Sequence, residues 1–417
     1  MHPTRRKFLR LGLGTSTLLA CGATVPSFLA RSASALGAEP GKSKERILVV
    51  VQLSGGNDGL NTVVPYGDQT YVKYRPQLHL PLKSLHKIDD HIGLHQSLAG
   101  FRKLLDSRQL AIVQSVGYPN PNRSHFESMT IWQTARLDPM ADTPGWLARY
   151  LESRPAKPGG DAPAMHIGDR ALPQALYGGQ RPVPSLASPE QFRRRLGIPN
   201  GEEATALRTA LDRVSNSGRG KPGSLLDFVE RSTVITYASS ARLEGILKNP
   251  QAGGDYPPFG LGQRLALIAQ LIKSGLTSSI YYTELDGFDT HASQLGTHEF
   301  LLRELDNGLK AFVDDMRKFG DGKRVLVLVF SEFGRRLKEN GSNGTDHGTA
   351  APVFVLGDVV RAGVHGPYPN LQDLQDGDPR YAIDFRRVYA SILDQWLQCP
   401  SQTVLGQNFE PLPLVTA

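Results

Sequence analysis

The chain of 417 residues reads as an α/β protein with a mostly parallel central sheet flanked by helices. Three observations predict this. Four β-branched, almost wholly apolar runs recur along the chain, at 46–53, 109–116, 278–285 and 324–330. Such continuous runs mark strands covered on both faces. Stretches with helical apolar spacing connect them, and each run is followed at once by a cluster of polar and glycine residues. Helical connections require parallel strands, so the four clusters are predicted to open on one edge of the sheet.

The N-terminal stretch comes first. Thr4-Arg5-Arg6-Lys7-Phe8-Leu9-Arg10 resembles a twin-arginine motif, and the apolar segment Leu11 to Ala20 is too short and too glycine-rich to span a bilayer permanently. Ala33-Ser34-Ala35 offers a cleavage site, so residues 1–38 read as an export signal leading to the periplasm or cell envelope. Leu18-Leu19-Ala20-Cys21-Gly22 also resembles a lipoprotein box, in which Cys21 would carry lipid. With the signal removed, Cys399 is the one cysteine left, which excludes an intramolecular disulfide.

Charge bounds the partners. The formal net charge is +7, but five of the 47 basic residues and no acidic ones precede Glu39, leaving 42 basic against 40 acidic. A near-neutral mature chain gives no nucleic-acid footprint.

The first strand delivers Ser54-Gly55-Gly56-Asn57-Asp58-Gly59-Leu60-Asn61, a turn that lets backbone approach a ligand closely, with Asp58 as its charged group. Asp58 serves equally well as a helix cap. It lacks the spacing and the lysine of a phosphate-binding loop. A helix marked by Leu98, Phe101, Leu104 and Leu105 leads to the second strand, which is followed by Asn122-Arg123-Ser124-His125-Phe126 and a helix through Trp132. Ser124 stands at that helix's N-terminus, as a cap or as a nucleophile served by the free backbone N–H groups. A Ser-His-Asp hydrolase is the weaker reading, because the Gly-x-Ser-x-Gly elbow is missing and His125, adjacent in sequence, is expected to point elsewhere.

Residues 154–260 are Gly- and Pro-rich around helical stretches, and are predicted to be an insertion or lid over the sheet with no strand ending in reactive groups. A helix with apolar residues from Leu261 to Leu276 then feeds the third strand, which ends in Asp286-Gly287-Phe288-Asp289-Thr290-His291. The next helix has apolar positions at 301, 305, 309, 312, 316 and 319. The fourth strand delivers Ser331-Glu332-Phe333-Gly334-Arg335, then Thr345-Asp346-His347-Gly348 before a closing strand at 352–357. Asp384 is the predicted cap of a last helix reaching Trp396.

Asp58, Ser124, Asp289, His291, Glu332, Asp346 and His347 are thus predicted to converge. Carboxylates and imidazoles without clustered cysteines suit a divalent metal, zinc first, with manganese, magnesium or calcium as alternatives. A cation beside Ser124 would lower the pKa of its hydroxyl and stabilise charge on a transferring phosphoryl or sulfuryl group.

Five motifs in order, Leu53-Ser-Gly-Gly-Asn-Asp-Gly-Leu-Asn61, Ser124-His125-Phe126, Phe288-Asp-Thr-His291, Ser331-Glu-Phe-Gly-Arg335 and Asp384-Phe385-Arg386, together resemble the bacterial family known as domain of unknown function 1501. That family in turn resembles a remote branch of the alkaline phosphatase and sulfatase superfamily. The resemblance implies one alkaline phosphatase-like domain over residues 39–417. It implies metal ligands at Asp58, Asp289, His291 and His347, and a nucleophile at Ser124. Glu332-Phe333-Gly334 stands where the superfamily has Asp-His-Gly. Phe cannot bind a metal, so one of two metal positions is predicted to be incomplete unless Asp346 or His298 substitutes. The sulfatase Cys/Ser-x-Pro-x-Arg motif is missing at Ser124. Two functions follow: an exported metal-dependent hydrolase or transferase of phosphate or sulfate esters, small or polymeric, or a non-catalytic cell-envelope binding protein on the same fold.

Overall fold

A computed structural model describes residues 45–140, 142–155, 162–179, 183–186 and 253–416. The export signal with Cys21, and the helical stretches expected within 187–252, lie outside the described residues.

The apolar runs form the strands expected of them. The central sheet consists of β1 (Ile47–Ser54), β2 (Leu110–Gly117), β3 (Ala164–Ile167), β4 (Ser185–Leu186), β5 (Ile280–Asp286), β6 (Val325–Ser331), β9 (Ala351–Leu356), β10 (Gly363–His365) and β11 (Ile383–Asp384). A small hairpin of β7 (Arg335–Glu339) and β8 (Thr345–His347) stands between β6 and β9. The order across the sheet is β10-β2-β9-β6-β1-β5-β3-β4, with β11 also on β2. β1 pairs in parallel with β5 and β6. β9 is antiparallel to both β2 and β6, so β2 runs the same way as β6 and β1. The four predicted strands therefore do end on one edge.

Alternation along β1 assigns the two faces. Ile47, Val49, Val51 and Leu53 pack with α1 (Ala99–Asp106), α4 (Gly260–Lys273) and α5 (Gln294–Phe319). Leu48 and Val50 face the core built by α2 (His125–Thr134), α3 (Trp146–Ser153) and α6 (Phe385–Ser391). On that side Trp132 lies stacked between Phe330 and Phe385, at centroid distances of 5.1 and 4.4 Å. Carboxylates of α5 tie its side together: Asp306 accepts from the backbone N–H groups of Gly100 and Phe101, and Glu304 from that of Leu261. They satisfy donors that helix starts leave unpaired. Asp384 caps α6 as predicted, accepting from Arg386 N at 2.9 Å.

Of the stretch 154–260, residues 164–167 and 185–186 supply β3 and β4, which were not expected there and which extend the sheet beyond β5; residues 156–161, 180–182 and 187–252 lie outside the described residues. Strands of four and two residues are too short for hydrophobic periodicity to register. Among the described residues, no helix is long and apolar enough to cross a membrane.

Candidate metal centre

Tight backbone contact between the strand-end turns builds the site. Gly55, at φ 114°, has its Cα against the backbone of Phe288 and Asp289, where a Cβ would fall 2.4 Å from Asp289 N. Gly56, at φ 72°, leaves room for the Phe333 ring, which a Cβ would also meet at 2.4 Å. Arg335, almost wholly buried, fastens the turns: it donates to the carbonyls of Gly55, Gly56, Phe288 and Thr345 and to Asp289 Oδ1, the last at 2.8 Å. Its partner across the hairpin is His347, so one pairing places both the clamp and an imidazole.

Three imidazoles surround Asp289 Oδ1. Its distance is 3.1 Å to His347 Nε2, 3.1 Å to His291 Nε2 and 3.4 Å to His125 Nε2. Ligand atoms of His125, Asp289 and His347 all lie within 4.8 Å of one another. Donors about 2.0–2.2 Å from a tetrahedral ion stand about 3.3–3.6 Å apart, so modest adjustment closes the set on a cation.

The opposite nitrogen of each ring is engaged by an oxygen. His347 Nδ1 donates to Arg123 O at 2.8 Å, His125 Nδ1 meets Glu332 Oε1 at 2.8 Å, and His291 Nδ1 meets Asp346 Oδ1 at 3.2 Å. A hydrogen on Nδ1 leaves Nε2 of a neutral ring as a bare lone pair, the arrangement that outer partners of metal-bound histidines enforce. His125 Nε2 is buried and has no hydrogen-bond partner. The donor set therefore fits a divalent cation. Its nitrogen-rich character favours zinc over magnesium or calcium.

Electrostatics point the same way. Burial pushes the Asp289 carboxyl up, but hydrogen bonds from Arg335 and His347 and the Arg335 charge outweigh it and hold it at about 2. Burial pushes His347 down, keeping its ring neutral. His125 is raised, first by its hydrogen bond to Glu332, against burial.

The predicted residues divide into three groups. Asp289, His291 and His347 come together. Glu332 and Asp346 touch imidazoles from behind, and both Glu332 oxygens are engaged, by Gly55 N and His125 on one side and the Ser331 hydroxyl on the other. The geometry makes them ring-orienting carboxylates, a correction to their expected place among the ligands. Asp58 is elsewhere: fully buried, it pairs with Arg75 at 2.6 Å, accepts from Gln294 and caps the turn at Leu60 and Asn61. Its cap reading is the one the geometry supports. His298 is also buried, bound to Asn57 Oδ1 at 3.0 Å, and does not substitute.

His125 is the residue that sequence reasoning set aside. As the first residue of α2 it turns onto the sheet edge, its ring centroid 4.3 Å from that of His347. The available signal was its place immediately after a helix cap at a strand-end loop. Phe333 lies against both rings, at 4.9 and 5.0 Å, and fills with apolar surface the place beside them. Ser124 is the cap residue of α2, and its side chain makes no capping bond. Its chain neighbours, Arg123 and His125, both contact the cluster.

Residues 240–402 match the family model described as "Protein of unknown function (DUF1501)". The resemblance drawn from five motifs thus holds across that span, which contains Asp289, His291, Glu332, Asp346 and His347 but not Ser124 or His125. No curated protein matches. The fold is similar to solved structures at low identity. A protein in the alkaline phosphatase superfamily from Vibrio parahaemolyticus is 10% identical, with 83% of this chain and 71% of that one covered and a TM-score of 0.35. The PsFucS1 sulfatase from Pseudoalteromonas sp. is also 10% identical, over 82% and 68%, at 0.37. The zinc complex of the C-terminal periplasmic domain of EcEptC from Escherichia coli is 8% identical, over 76% and 74%, at 0.33.

Proposed function

We propose that this chain is an exported metal-dependent hydrolase or transferase of phosphate or sulfate esters. His125 Nε2, Asp289 Oδ1 and His347 Nε2, with His291 Nε2 beside them, would hold one divalent cation, zinc first. The observation that carries the reading is the convergence of imidazole nitrogens whose other ring nitrogens are already engaged by oxygens. When bound, such a cation supplies positive charge that favours ionisation of a nearby hydroxyl and stabilises charge on a transferring group.

The chain's own groups do the rest. Glu332, Asp346 and the Arg123 carbonyl fix the rings, Arg335 keeps Asp289 ionised, and Phe333 excludes a second histidine from the superfamily's position. Ser124, between two residues that contact the cluster and with its hydroxyl free of capping, is the nucleophile. The class of ester follows the family resemblance; export through residues 1–38, with cleavage at Ala33-Ser34-Ala35 or, as the alternative, lipid on Cys21, follows the N-terminal motifs.

Metal analysis of the purified mature protein, combined with turnover of a phosphate- and sulfate-ester panel by wild type and Ser124→Ala, tests the reading. Bound cation with activity lost in Ser124→Ala supports it. Protein that takes up no cation under metal-replete conditions overturns it. Phe333 motivates the second reading, a binding protein without turnover. That reading predicts bound cation, no hydrolysis of any ester, and function indifferent to Ser124→Ala.

A further inference from the structure

A second constellation stands further along the same sheet edge, on β3 and β4, which the cation site does not use, and on β5, whose end also leads to Asp289 and His291. His166 on β3 is fully buried, and its neighbours in register are Ser185 on β4 and Tyr282 on β5. Glu284 lies two residues beyond Tyr282, so the pleat returns it to the same face. His166 Nδ1 is 2.7 Å from Ser185 Oγ, and His166 Nε2 is 2.9 Å from Glu284 Oε2. Glu284 is 6% exposed and its Oε1 is buried without a hydrogen-bond partner, whereas Ser185 is exposed. Gly168 makes the close fit feasible: a Cβ there would come within 2.6 Å of Glu284 Oε1 and 2.7 Å of His166 Nε2.

We propose that Ser185, His166 and Glu284 form a nucleophilic site for carboxylic esters, independent of the cation site. Glu284 as carboxylate accepts only, which puts the ring hydrogen on Nε2 and leaves Nδ1 as the base. The Ser185 hydroxyl then donates to Nδ1 and keeps its oxygen lone pairs for attack. This is the serine–base–carboxylate logic of acyl transfer, with the two ring nitrogens exchanged. The Oγ–acyl carbon bond forms as the hydroxyl proton passes to Nδ1, and the proton then goes to the leaving alkoxide as the acyl–oxygen bond breaks. Water reverses the sequence: it attacks the acyl carbon, gives a proton to Nδ1, and Ser185 recovers a proton as the carboxylic acid departs. The neighbouring Glu284 charge opposes an anionic phosphate or sulfate ester, so a neutral acyl ester is the substrate class.

Glu284 is a positioning residue. Arg264 donates to its backbone carbonyl and to Thr283 Oγ1, and Arg170 pairs with Asp286 nearby.

The test is labelling of the full chain by a fluorophosphonate probe, with the modified peptide identified by mass spectrometry. Expected are a label on Ser185, loss of that label in Ser185→Ala, and no change on treatment with a chelator that strips the cation site. Glu284→Gln should slow labelling at least about tenfold, whereas Glu284→Asp, which keeps a carboxylate to accept the ring hydrogen, should retain most of the rate. A side chain that only fills space would give the reverse order, because Gln is the closer match in shape. Folding of each variant is checked by circular dichroism, and Ser185→Thr provides a second variant at an exposed position. Label on Ser124 alone, or no label on folded wild type, overturns the proposal and leaves the cation site untouched. Chelator-sensitive labelling of Ser185 also overturns it.

Discussion

The Nε2 atoms of His291 and His347 stand 2.8 Å apart. Both rings have their Nδ1 atoms turned to acceptors, Asp346 Oδ1 and Arg123 O, that favour the hydrogen on Nδ1. Two neutral rings so held would oppose lone pair to lone pair. A proton on His291 or a shared cation removes the repulsion, and Asp289 Oδ1 at 3.1 Å from both nitrogens offers a cation its oxygen ligand. One equivalent of divalent metal is therefore expected in elemental analysis. His347→Ala should lower its affinity more than the roughly 10–100-fold typical of an outer-sphere change. Unchanged metal content in that variant would remove His347 from the ligand set.

Acid should release the cation through His125. Glu332 raises this ring's pKa, so a proton competes for Nε2 in the range where histidine titrates. Asp289, held at about 2, stays ionised throughout and contributes no step. Affinity measured by chelator competition between about pH 5 and pH 8 should fall as pH falls through the raised His125 value. For the metal-free protein the sign is opposite: a raised folded-state pKa gives stability that is full below the unfolded pKa and lost as pH rises through the folded one. A flat affinity profile would exclude His125 as a ligand.

Glu332→Gln separates ring orientation from charge. The amide oxygen can still accept from His125 Nδ1 and Gly55 N, so the turn is kept, but the carboxylate charge that raises His125 is gone. Metal affinity should drop by roughly 10–100-fold. The acid limb of the affinity profile should move to lower pH. Loss of affinity with an unmoved limb would mean that Glu332 acts by packing alone.

The strands and the shared edge were legible because buried parallel strands write continuous apolar runs, as 46–53 and 324–330 do. β3 and β4 were not, since four and two residues carry no period, and the His166–Glu284 contact spans 118 positions. At the proposed cation site the residue types were readable but their roles were not. Asp58, Glu332 and Asp346 are all strand-end carboxylates in the sequence. Arg75, 17 residues after Asp58, takes the first, and the imidazoles take the other two. His125 was missed because adjacency to Ser124 was weighed as a dyad within one segment. Its partners, Asp289 and Glu332, come from distant turns.

Asp58 and Arg75 supply a contrasting expectation, since both side chains are wholly buried and pair with each other at 2.6 Å. Burial pushes Asp58 up, but the Arg75 charge and hydrogen bond, with Gln294, hold it below the usual carboxylate value. Such a group contributes stability that is present above the unfolded pKa of about 3.9 and lost as pH falls through the folded value. Arg75→Met strands a buried carboxylate and should cost about 3–5 kcal/mol, read as a lower Tm at neutral pH. In that variant burial is no longer outweighed by the arginine, the carboxyl favours its proton, and the deficit against wild type should shrink on acidification. Metal affinity should fall less than in His347→Ala, because Arg75 reaches the cluster only indirectly, through the β7 carbonyls of Arg336 and Leu337 on the strand that pairs with β8. A folded Arg75→Met protein that loses metal as completely as His347→Ala would overturn that indirect role.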